Sequence, residues 1–442
     1  TDKRPNIIFI QLESFFDVGY EKNLQFSEDP LPVFHSLQKK YSSGLVTVPT
    51  VGAGTVNTEF EILTGMRQHD FGVSEYPYKT VLKSKTSESI CTDLKKLGYS
   101  THAVHNNEAT FYGRNTVFSN IGFDTFCSME YMNGLTDSPN GWSNDDVLSR
   151  EIMKTLDSTS GPDFTMAITV QSHGKYDGIA LDDPTIKVTG APEGKEQAYE
   201  YYVNEIHEVD RMIDTLIKEL SNRKEETVLV LYGDHLPSLD IQKDDLSNAN
   251  LYQTQYVVWD NMNLKKKTKN LHAYQLYAEV LDRIQIHEGM ITKYHQQTKH
   301  RSKLYLTGLT TLSYDLLYGD NYAYDGENPF KQTELQMGTE PVKLTSVQKT
   351  KSGYRVVGSG FTPYCKVYYD GTLVESEWIS SECLQLQDEF ELDEADKKDS
   401  GEPETEVTEP RDVPNAFVVE VQSDDGVVLS STQAYPASQV KK

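Results

Sequence analysis

Residues 5–14 read PNIIFIQLES, an apolar run that ends in a carboxylate and a hydroxyl. Because Ile7 to Ile10 do not alternate with polar residues, this run predicts a strand that is buried on both faces. Two other segments have the same character: 164–170 (FTMAITV) and 227–231 (TVLVL). Three segments have the apolar spacing of helices: 89–98, 203–220 and 273–284. Strands that alternate with helices predict an α/β fold with a mostly parallel central sheet and helices on both faces.

The pattern changes to short strands and turns from about residue 338 onwards. Four segments after this point have strand character, and two of them border Asp-Gly turns: 354–358, 366–369, 416–421 and 427–429. They predict a small all-β domain of immunoglobulin-like type. We therefore expect an α/β domain over 1–337 and a β-sandwich over 338–442. The acidic stretch 388–410 contains few apolar residues, and we expect it to be a mobile insert in the second domain.

The charge of the chain restricts its partners. Lys and Arg total 42 of 442 residues and Asp and Glu total 67, which gives a formal net charge of −25. A body this acidic repels nucleic acid, so we expect no nucleic-acid partner. If the substrate is anionic, a metal, Arg or His must supply positive charge locally. The four cysteines have no CxxC spacing, which disfavours a structural zinc site and leaves either free thiols or local disulfides.

The sequence contains no apolar run long enough to span a bilayer and no signal peptide. The chain opens at Thr1 and enters its first strand almost at once. We therefore expect an extracellular domain that is released, or that is separated from an upstream membrane anchor.

Two strand ends carry candidate metal ligands. Glu13 follows the first strand, and Asp234 and His235 follow the strand at 227–231. The carboxyl ends of parallel strands meet at one edge of a sheet, where α/β proteins bind ligands. Oxygen and nitrogen ligands suit manganese, zinc or magnesium. The alternative is structural: an exposed Asp beside a capping His, and a carboxylate that caps the next helix.

The segment GAGT at 52–55 precedes a helical pattern that starts at Val56. Glycines allow the backbone to approach a ligand closely, and a helix start offers free N–H groups to an anion. Thr55 is then a candidate nucleophile whose hydroxyl is made more acidic by a metal. The alternative is a threonine N-cap, with Thr58 and Glu61 forming a capping box.

A second polar cluster surrounds the segments HNN at 105–107, FYGR at 111–114 and SHG at 172–174. Arg114 can bind a phosphate through two parallel hydrogen bonds, and Tyr112 can stack on a small polyol or bond to it. His173 follows a buried strand and is a candidate phosphate ligand or general acid–base. The alternative is a polar loop that contains a buried Arg ion pair.

The order of these motifs along the chain resembles the lipoteichoic acid synthase family, the extracellular phosphoglycerol transferases of the alkaline phosphatase and sulfatase superfamily. The resemblance runs from about Pro5 to the region of Tyr318. It implies a Mn²⁺ ion, with Mg²⁺ or Zn²⁺ also possible, bound by four residues: Glu13, Thr55, Asp234 and His235. It also implies five residues that hold glycerol phosphate: His105, Asn107, Tyr112, Arg114 and His173. Family members often carry Trp in place of Tyr112 and Asp in place of Asn107.

The resemblance implies transfer of glycerol phosphate from phosphatidylglycerol, through an intermediate on Thr55, to a growing polyglycerol-phosphate chain of lipoteichoic acid. Thr55, His173 and Arg114 would be the catalytic residues. The implied location is the extracellular face of a bacterial membrane, or the cell wall after release. Three alternatives remain: a phosphoglycerol transferase that decorates a wall polysaccharide, a phosphate- or sulfate-ester hydrolase, and a non-catalytic binder of teichoic acid.

Overall fold

The computed structural model describes residues 4–387, 389–393 and 409–442. The predicted mobile insert at 388–410 lies largely outside these described residues. The chain divides into two compact units. The first contains the described residues of Thr1–Asn106, Phe111–Asp124 and Thr136–Leu335, and the second contains those of Asn107–Thr110, Thr125–Leu135 and Gln336–Lys442. The predicted boundary between a catalytic domain and an accessory domain, at residues 337 and 338, stays a prediction.

The α-helices of the described chain all belong to the first unit. They are α1 Pro32–Lys40, α2 Thr55–Thr64, α3 Ile90–Lys95, α4 Arg114–Asn120, α5 Val147–Asp157, α6 Glu196–Arg223, α7 Ala273–Arg283, α8 Met290–Gln297 and α9 Tyr305–Leu317. The strands are β1 Asn6–Leu12, β2 Gln25–Phe26, β3 Ser42–Thr47, β4 Ser100–His105, β5 Thr125–Cys127, β6 Asp163–Ile168, β7 Val188–Thr189, β8 Thr227–Gly233, β9 Gln253–Asp260, β10 Leu271–His272, β11 Gln336–Met337, β12 Lys343–Thr350, β13 Gly353–Ser359, β14 Cys365–Tyr369, β15 Thr372–Val374, β16 Ser376–Ser380, β17 Cys383–Leu386, β18 Ala416–Gln422, β19 Val428–Ser431 and β20 Tyr435–Pro436.

The first unit is built around a sheet in the order β10-β3-β9-β8-β1-β6-β4. Strand β1 pairs in parallel with β8 and β6, and β6 pairs in parallel with β4. Strand β9 runs antiparallel to both β8 and β3. Every residue of β1, β6 and β8 is buried, as their unbroken apolar sequences predict.

The helices form two groups that each pack together. Helices α1 and α5 both contact α6, whereas α2 contacts α3 and α7, and α7 contacts α8. Two layers of helices around a mostly parallel sheet confirm the predicted α/β fold. Outside the central sheet, β2 and β7 form a short antiparallel pair. No helix among the described residues has the length and hydropathy that crossing a bilayer requires.

The second unit consists of small β-sheets. Its antiparallel sheets have the orders β12-β13-β17-β16 and β15-β14-β18-β19, with β20 beside β18. Their inner faces share an apolar core that includes Val347, Val356, Phe361 and Phe417. Strands β5 and β11 pair in parallel. The predicted C-terminal β domain is confirmed, but two short segments from earlier in the chain also belong to this unit.

Candidate active site

The register of the central sheet brings two candidate carboxylates together. The last residue of β1, Leu12, pairs with Gly233, the last residue of β8, so that Glu13 and Asp234 follow neighbouring strand ends. The two loops are joined directly, because the Ser14 amide donates to Asp234 Oδ1 over 2.7 Å. A side chain could not replace the hydrogen of Gly233, since a Cβ there would lie 1.8 Å from the carbonyl oxygen of Phe15.

The side chains of four candidate ligands meet at this point. Thr55 Oγ1 lies 3.0 Å from Glu13 Oε2 and 3.4 Å from His235 Nε2. His235 Nε2 in turn lies 3.5 Å from Asp234 Oδ2 and 3.7 Å from Glu13 Oε1. Metal–ligand bonds of about 2.1 Å in tetrahedral geometry separate neighbouring ligand atoms by about 3.4 Å. Of the four residues predicted as metal ligands, Glu13, Asp234 and His235 have ligand atoms that all lie within 4.8 Å of one another, and the Thr55 hydroxyl lies beside two of these residues.

The chemistry of the cluster also fits a cation. Asp234 Oδ2 is buried and has no hydrogen-bond donor among the described residues. Burial and the nearby charge of Glu13 raise the pKa of Asp234 well above its ordinary value. Burial also opposes ionisation of Glu13, but the imidazoles of His235 and His173 hold its pKa below its ordinary value. A divalent ion would satisfy the unpaired oxygen and offset the repulsion between the two carboxylates.

Thr55 is the first residue of α2 and is almost fully buried. Gly54 precedes it with a left-handed backbone (φ 88°), which turns the chain sharply into the helix. The amides at this helix start carry partial positive charge beside Thr55 Oγ1. The alternative capping box does not form, because Thr58 lies inside α2 and donates to the Asp234 carbonyl over 2.7 Å.

The three histidines of the candidate site make the same kind of hydrogen bond. In each, Nδ1 lies against a backbone carbonyl: His105 with Ile168 O at 2.7 Å, His173 with Gly174 O at 2.6 Å, and His235 with Leu236 O at 2.7 Å. A carbonyl can only accept, so Nδ1 carries a proton, and in the neutral imidazole Nε2 keeps its lone pair. Burial lowers the pKa of His105 well below its ordinary value, and the charge of Arg114 adds to this effect. His105 is therefore neutral at pH 7.

The structure places Arg114 in a buried ion pair that the sequence offered only as an alternative. Its Nε and Nη2 donate to the two carboxylate oxygens of Glu59 over 3.1 and 2.9 Å. Its Nη1 is buried without a hydrogen-bond partner among the described residues. Glu59 therefore takes Nε and one hydrogen of Nη2, and the predicted contact of Arg114 with phosphate would come from Nη1 and the second hydrogen of Nη2. Glu59 was missed, although it lies one helical turn after Thr55 on α2.

Tyr112 lies beside Arg114, whose guanidinium carbon is 5.5 Å from the centre of the tyrosine ring. The backbone of Tyr112 is left-handed (φ 58°), a strained conformation that clusters at functional sites. Burial raises its pKa to about 12, so the hydroxyl stays neutral and can donate a hydrogen bond. Asn107 is half-buried and belongs to the second unit, where its carbonyl accepts from the Met129 amide over 3.0 Å. Its predicted role stays a prediction.

Sequence reasoning also missed Trp142, which has no motif around it. Its ring centre lies 4.3 Å from that of His173. A single tryptophan in a polar loop gives no signal of this contact, because the loop and the segment of His173 meet only in the folded chain.

The chain is similar to several known proteins. The family model described as Sulfatase matches residues 5–326, and the chain belongs to this family. A putative cyclic β-1,2-glucan modification protein of Rhizobium meliloti is 30% identical over 60% of this chain and 43% of its own length. Lipoteichoic acid synthase 2 of Bacillus subtilis is 24% identical over 44% of this chain and 30% of its own length. The chain thus spans less than half the length of these relatives.

A solved structure has the same fold. The phosphoglycerol transferase GacH of Streptococcus pyogenes, in complex with sn-glycerol-1-phosphate, superimposes with a TM-score of 0.63 at 22% identity. The match covers 75% of this chain and 92% of that one. The predicted resemblance to the lipoteichoic acid synthase branch of the superfamily is confirmed.

Proposed function

We propose that this chain is a metal-dependent phosphoglycerol transferase. It takes glycerol phosphate from phosphatidylglycerol, holds it on Thr55 and passes it to an acceptor hydroxyl. One observation carries the proposal: the Thr55 hydroxyl lies within 3.0 and 3.4 Å of two candidate metal ligands, in a buried site at a helix start. The names of the relatives support phosphoglycerol as the group transferred.

Glu13, Thr55, Asp234 and His235 would hold the metal, for which we propose Mn²⁺ and for which Mg²⁺ or Zn²⁺ has suitable chemistry. When bound, the ion makes the Thr55 hydroxyl more acidic and offsets negative charge on the phosphoryl oxygens. The protein residues hold the substrate in position. The start of α2 offers amides to the phosphoryl oxygens, and Tyr112 and Arg114 Nη1 offer hydrogen bonds to the glycerol phosphate.

Two displacements follow. In the first, Thr55 Oγ1 bonds to phosphorus, the bond from phosphorus to the diacylglycerol oxygen breaks, and the threonine proton ends on diacylglycerol. In the second, the acceptor oxygen bonds to phosphorus, the bond from phosphorus to Thr55 Oγ1 breaks, and the acceptor proton ends on Thr55 Oγ1. We assign these proton transfers to His173 Nε2. His105 is less suited, because burial and the charge of Arg114 lower its pKa well below its ordinary value and so disfavour its protonated form.

The acceptor in our proposal is a growing polyglycerol-phosphate chain at the outer surface of a bacterial membrane. A second candidate is a glycan hydroxyl, because one relative is named as a glucan modification protein. Both acceptors present an alcohol to the same intermediate, so the reaction at Thr55 is common to the two.

Product analysis tests the proposal. The protein is incubated with Mn²⁺ and phosphatidylglycerol labelled in the headgroup glycerol, with a glycerol-phosphate oligomer, with a cyclic glucan, or with neither. We expect diacylglycerol and a labelled acceptor, and no diacylglycerol with Thr55→Ala. Free glycerol phosphate as the main product with both acceptors would make the protein a hydrolase. The absence of all turnover, with metal bound, would favour a binding protein.

A further inference from the structure

Residues 138–142, which lie between β5 and α5, fold into a compact turn in the first unit. The Ser138 amide donates to the Trp142 carbonyl over 2.7 Å, and the Ser138 hydroxyl donates to Asn140 Oδ1 over 2.7 Å. The Gly141 amide donates back to the Ser138 carbonyl over 2.8 Å. Because the turn is held by its own hydrogen bonds, it can present the side chains of Asn140 and Trp142 in fixed positions.

Both side chains act on the segment that carries His173. Asn140 Nδ2 donates to the His173 carbonyl over 2.9 Å and to the Lys175 carbonyl over 3.2 Å. The Trp142 indole nitrogen donates to the Gly174 carbonyl over 2.8 Å. The same indole ring lies against the His173 imidazole, with 4.3 Å between the ring centres.

The Gly174 carbonyl has two donors. One is the Trp142 indole, and the other is His173 Nδ1 at 2.6 Å. A carbonyl oxygen has two lone pairs, so this acceptor is fully used. The direction of the Gly174 carbonyl decides which nitrogen of His173 carries the proton. The hydrogen bond from the Trp142 indole fixes the direction of that carbonyl. The Gly174 position is itself confined, because a Cβ there would lie 2.8 Å from Ser238 Oγ.

We propose that Trp142 is a positioning residue for His173. Its N–H fixes the Gly174 carbonyl and its ring fixes the imidazole, so that His173 keeps its proton on Nδ1 and presents Nε2 to the reacting oxygens. The effect of Trp142 on catalysis rests on the proposed function. The tautomer of His173 does not depend on the reaction and can be measured by itself.

A double-mutant cycle tests the catalytic consequence. His173→Ala removes the proton carrier, and we expect kcat to fall about 100-fold or more. Trp142→Ala leaves the imidazole present but misplaced, and we expect a loss of kcat of about tenfold with KM little changed. The double variant should be no slower than His173→Ala, because Trp142 acts only through His173. If the losses multiply in the double variant, Trp142 does not act through His173 and the proposal is overturned.

The tautomer is read by NMR of the ¹⁵N-labelled imidazole in the protein loaded with Mg²⁺ or Zn²⁺, because paramagnetic Mn²⁺ would broaden the signals of His173. Trp142→Phe keeps an aromatic ring but removes the N–H donor. We expect His173 to change from the Nδ1–H form to a mixture, with kcat between those of the wild type and Trp142→Ala. Trp378→Phe is the matched control, because that indole also donates to a carbonyl, of Phe361 at 3.0 Å, in the second unit.

Failure of the proposed function and failure of the positioning role of Trp142 give different results. If the wild type transfers no phosphoglycerol but Trp142→Phe still changes the His173 tautomer, the proposed function fails and the positioning role survives. If Trp142→Phe leaves both tautomer and kcat as in the wild type, or if Trp378→Phe changes His173 equally, the positioning role is wrong.

Discussion

Asp234 Oδ2 is a buried carboxylate oxygen without a donor among the described residues. Leaving such an atom unsatisfied is costly, which is why buried charges are paired or bind metals. Asp234→Asn keeps the shape but removes the charge. Changes to residues that merely support metal ligands weaken metal affinity by about 10- to 100-fold, so we expect at least a tenfold loss for this direct ligand.

Titration with Mn²⁺, followed by elemental analysis after gel filtration, measures this loss. His173→Ala is the control, because the proposal gives His173 no part in holding the ion. Equal Mn²⁺ affinity in Asp234→Asn and the wild type would remove Asp234 from the metal site.

The ion pair of Arg114 and Glu59 makes a second prediction at the residue scale. Both side chains are at most 1% exposed. Glu59→Gln leaves the guanidinium buried without its counter-charge, so we expect the free energy of unfolding to fall by about 3–5 kcal/mol. Urea denaturation measures the change. Asp214→Asn breaks an exposed pair with Lys218 and should cost less than about 1 kcal/mol. Similar losses for the two variants would contradict the structural role of Glu59.

At the scale of elements, His295 of α8 joins that helix to the end of α2. Its Nε2 donates to the Gly65 carbonyl over 2.7 Å, and its Nδ1 accepts from the Tyr305 hydroxyl over 2.8 Å. Burial lowers its pKa to about 4, whereas an exposed histidine has a pKa near 6.5. Between these values the unfolded chain binds a proton that the folded chain does not, so stability falls as the pH falls through this window.

From pH 7 to pH 5 this single group should cost about 2 kcal/mol. His295→Gln lacks the titrating group, and its stability should fall less over the same interval. Urea denaturation of both proteins at the two pH values measures the difference. Parallel losses would show that His295 does not titrate in this window.

The elements that position the site differ in how far the sequence predicts them. Strands β1, β6 and β8 carry unbroken apolar runs, so their existence, burial and carboxyl ends were predicted correctly. Glu13 and Asp234 directly follow two of these ends, and their role as metal ligands stays a prediction. The sequence gives no sign that β9 runs antiparallel beside β8. The left-handed backbone of Tyr112 was also missed. The sequence offered a buried Arg ion pair as an alternative but not Glu59 as its partner, because Glu59 and Arg114 lie far apart in the chain.

At the scale of the whole molecule, the second unit is assembled from separate parts of the chain. Within it, the Thr362 hydroxyl donates to the Glu130 carbonyl over 2.6 Å, and Asn133 Nδ2 donates to the Phe361 carbonyl over 2.9 Å. Strand β5 also pairs with β11. Composition and periodicity reveal where strands lie, but they do not reveal which distant segments join them. This is why the sequence predicted a continuous β domain.

This assembly predicts the behaviour of a fragment. Residues 336–442 alone lack the segment 125–135 and should be less stable than the same unit in the full chain, because the bonds to Glu130 and Asn133 and the pairing with β5 are lost. Hydrogen exchange of the Phe361 and Thr362 region measures this. Joining 125–135 to the fragment through a flexible linker should restore part of the protection. Equal protection with and without the segment would contradict the prediction.

The central claim for the whole protein is that the transferred group rests on Thr55. The most direct test is to mix the metal-loaded protein with phosphatidylglycerol in the absence of an acceptor, quench with acid within one turnover and measure the mass of the intact chain and its peptides. We predict that the peptide containing Thr55 gains one phosphoglycerol group, and that Thr55→Ala gains none. Diacylglycerol release without any such adduct, or an adduct on another residue, would contradict the account.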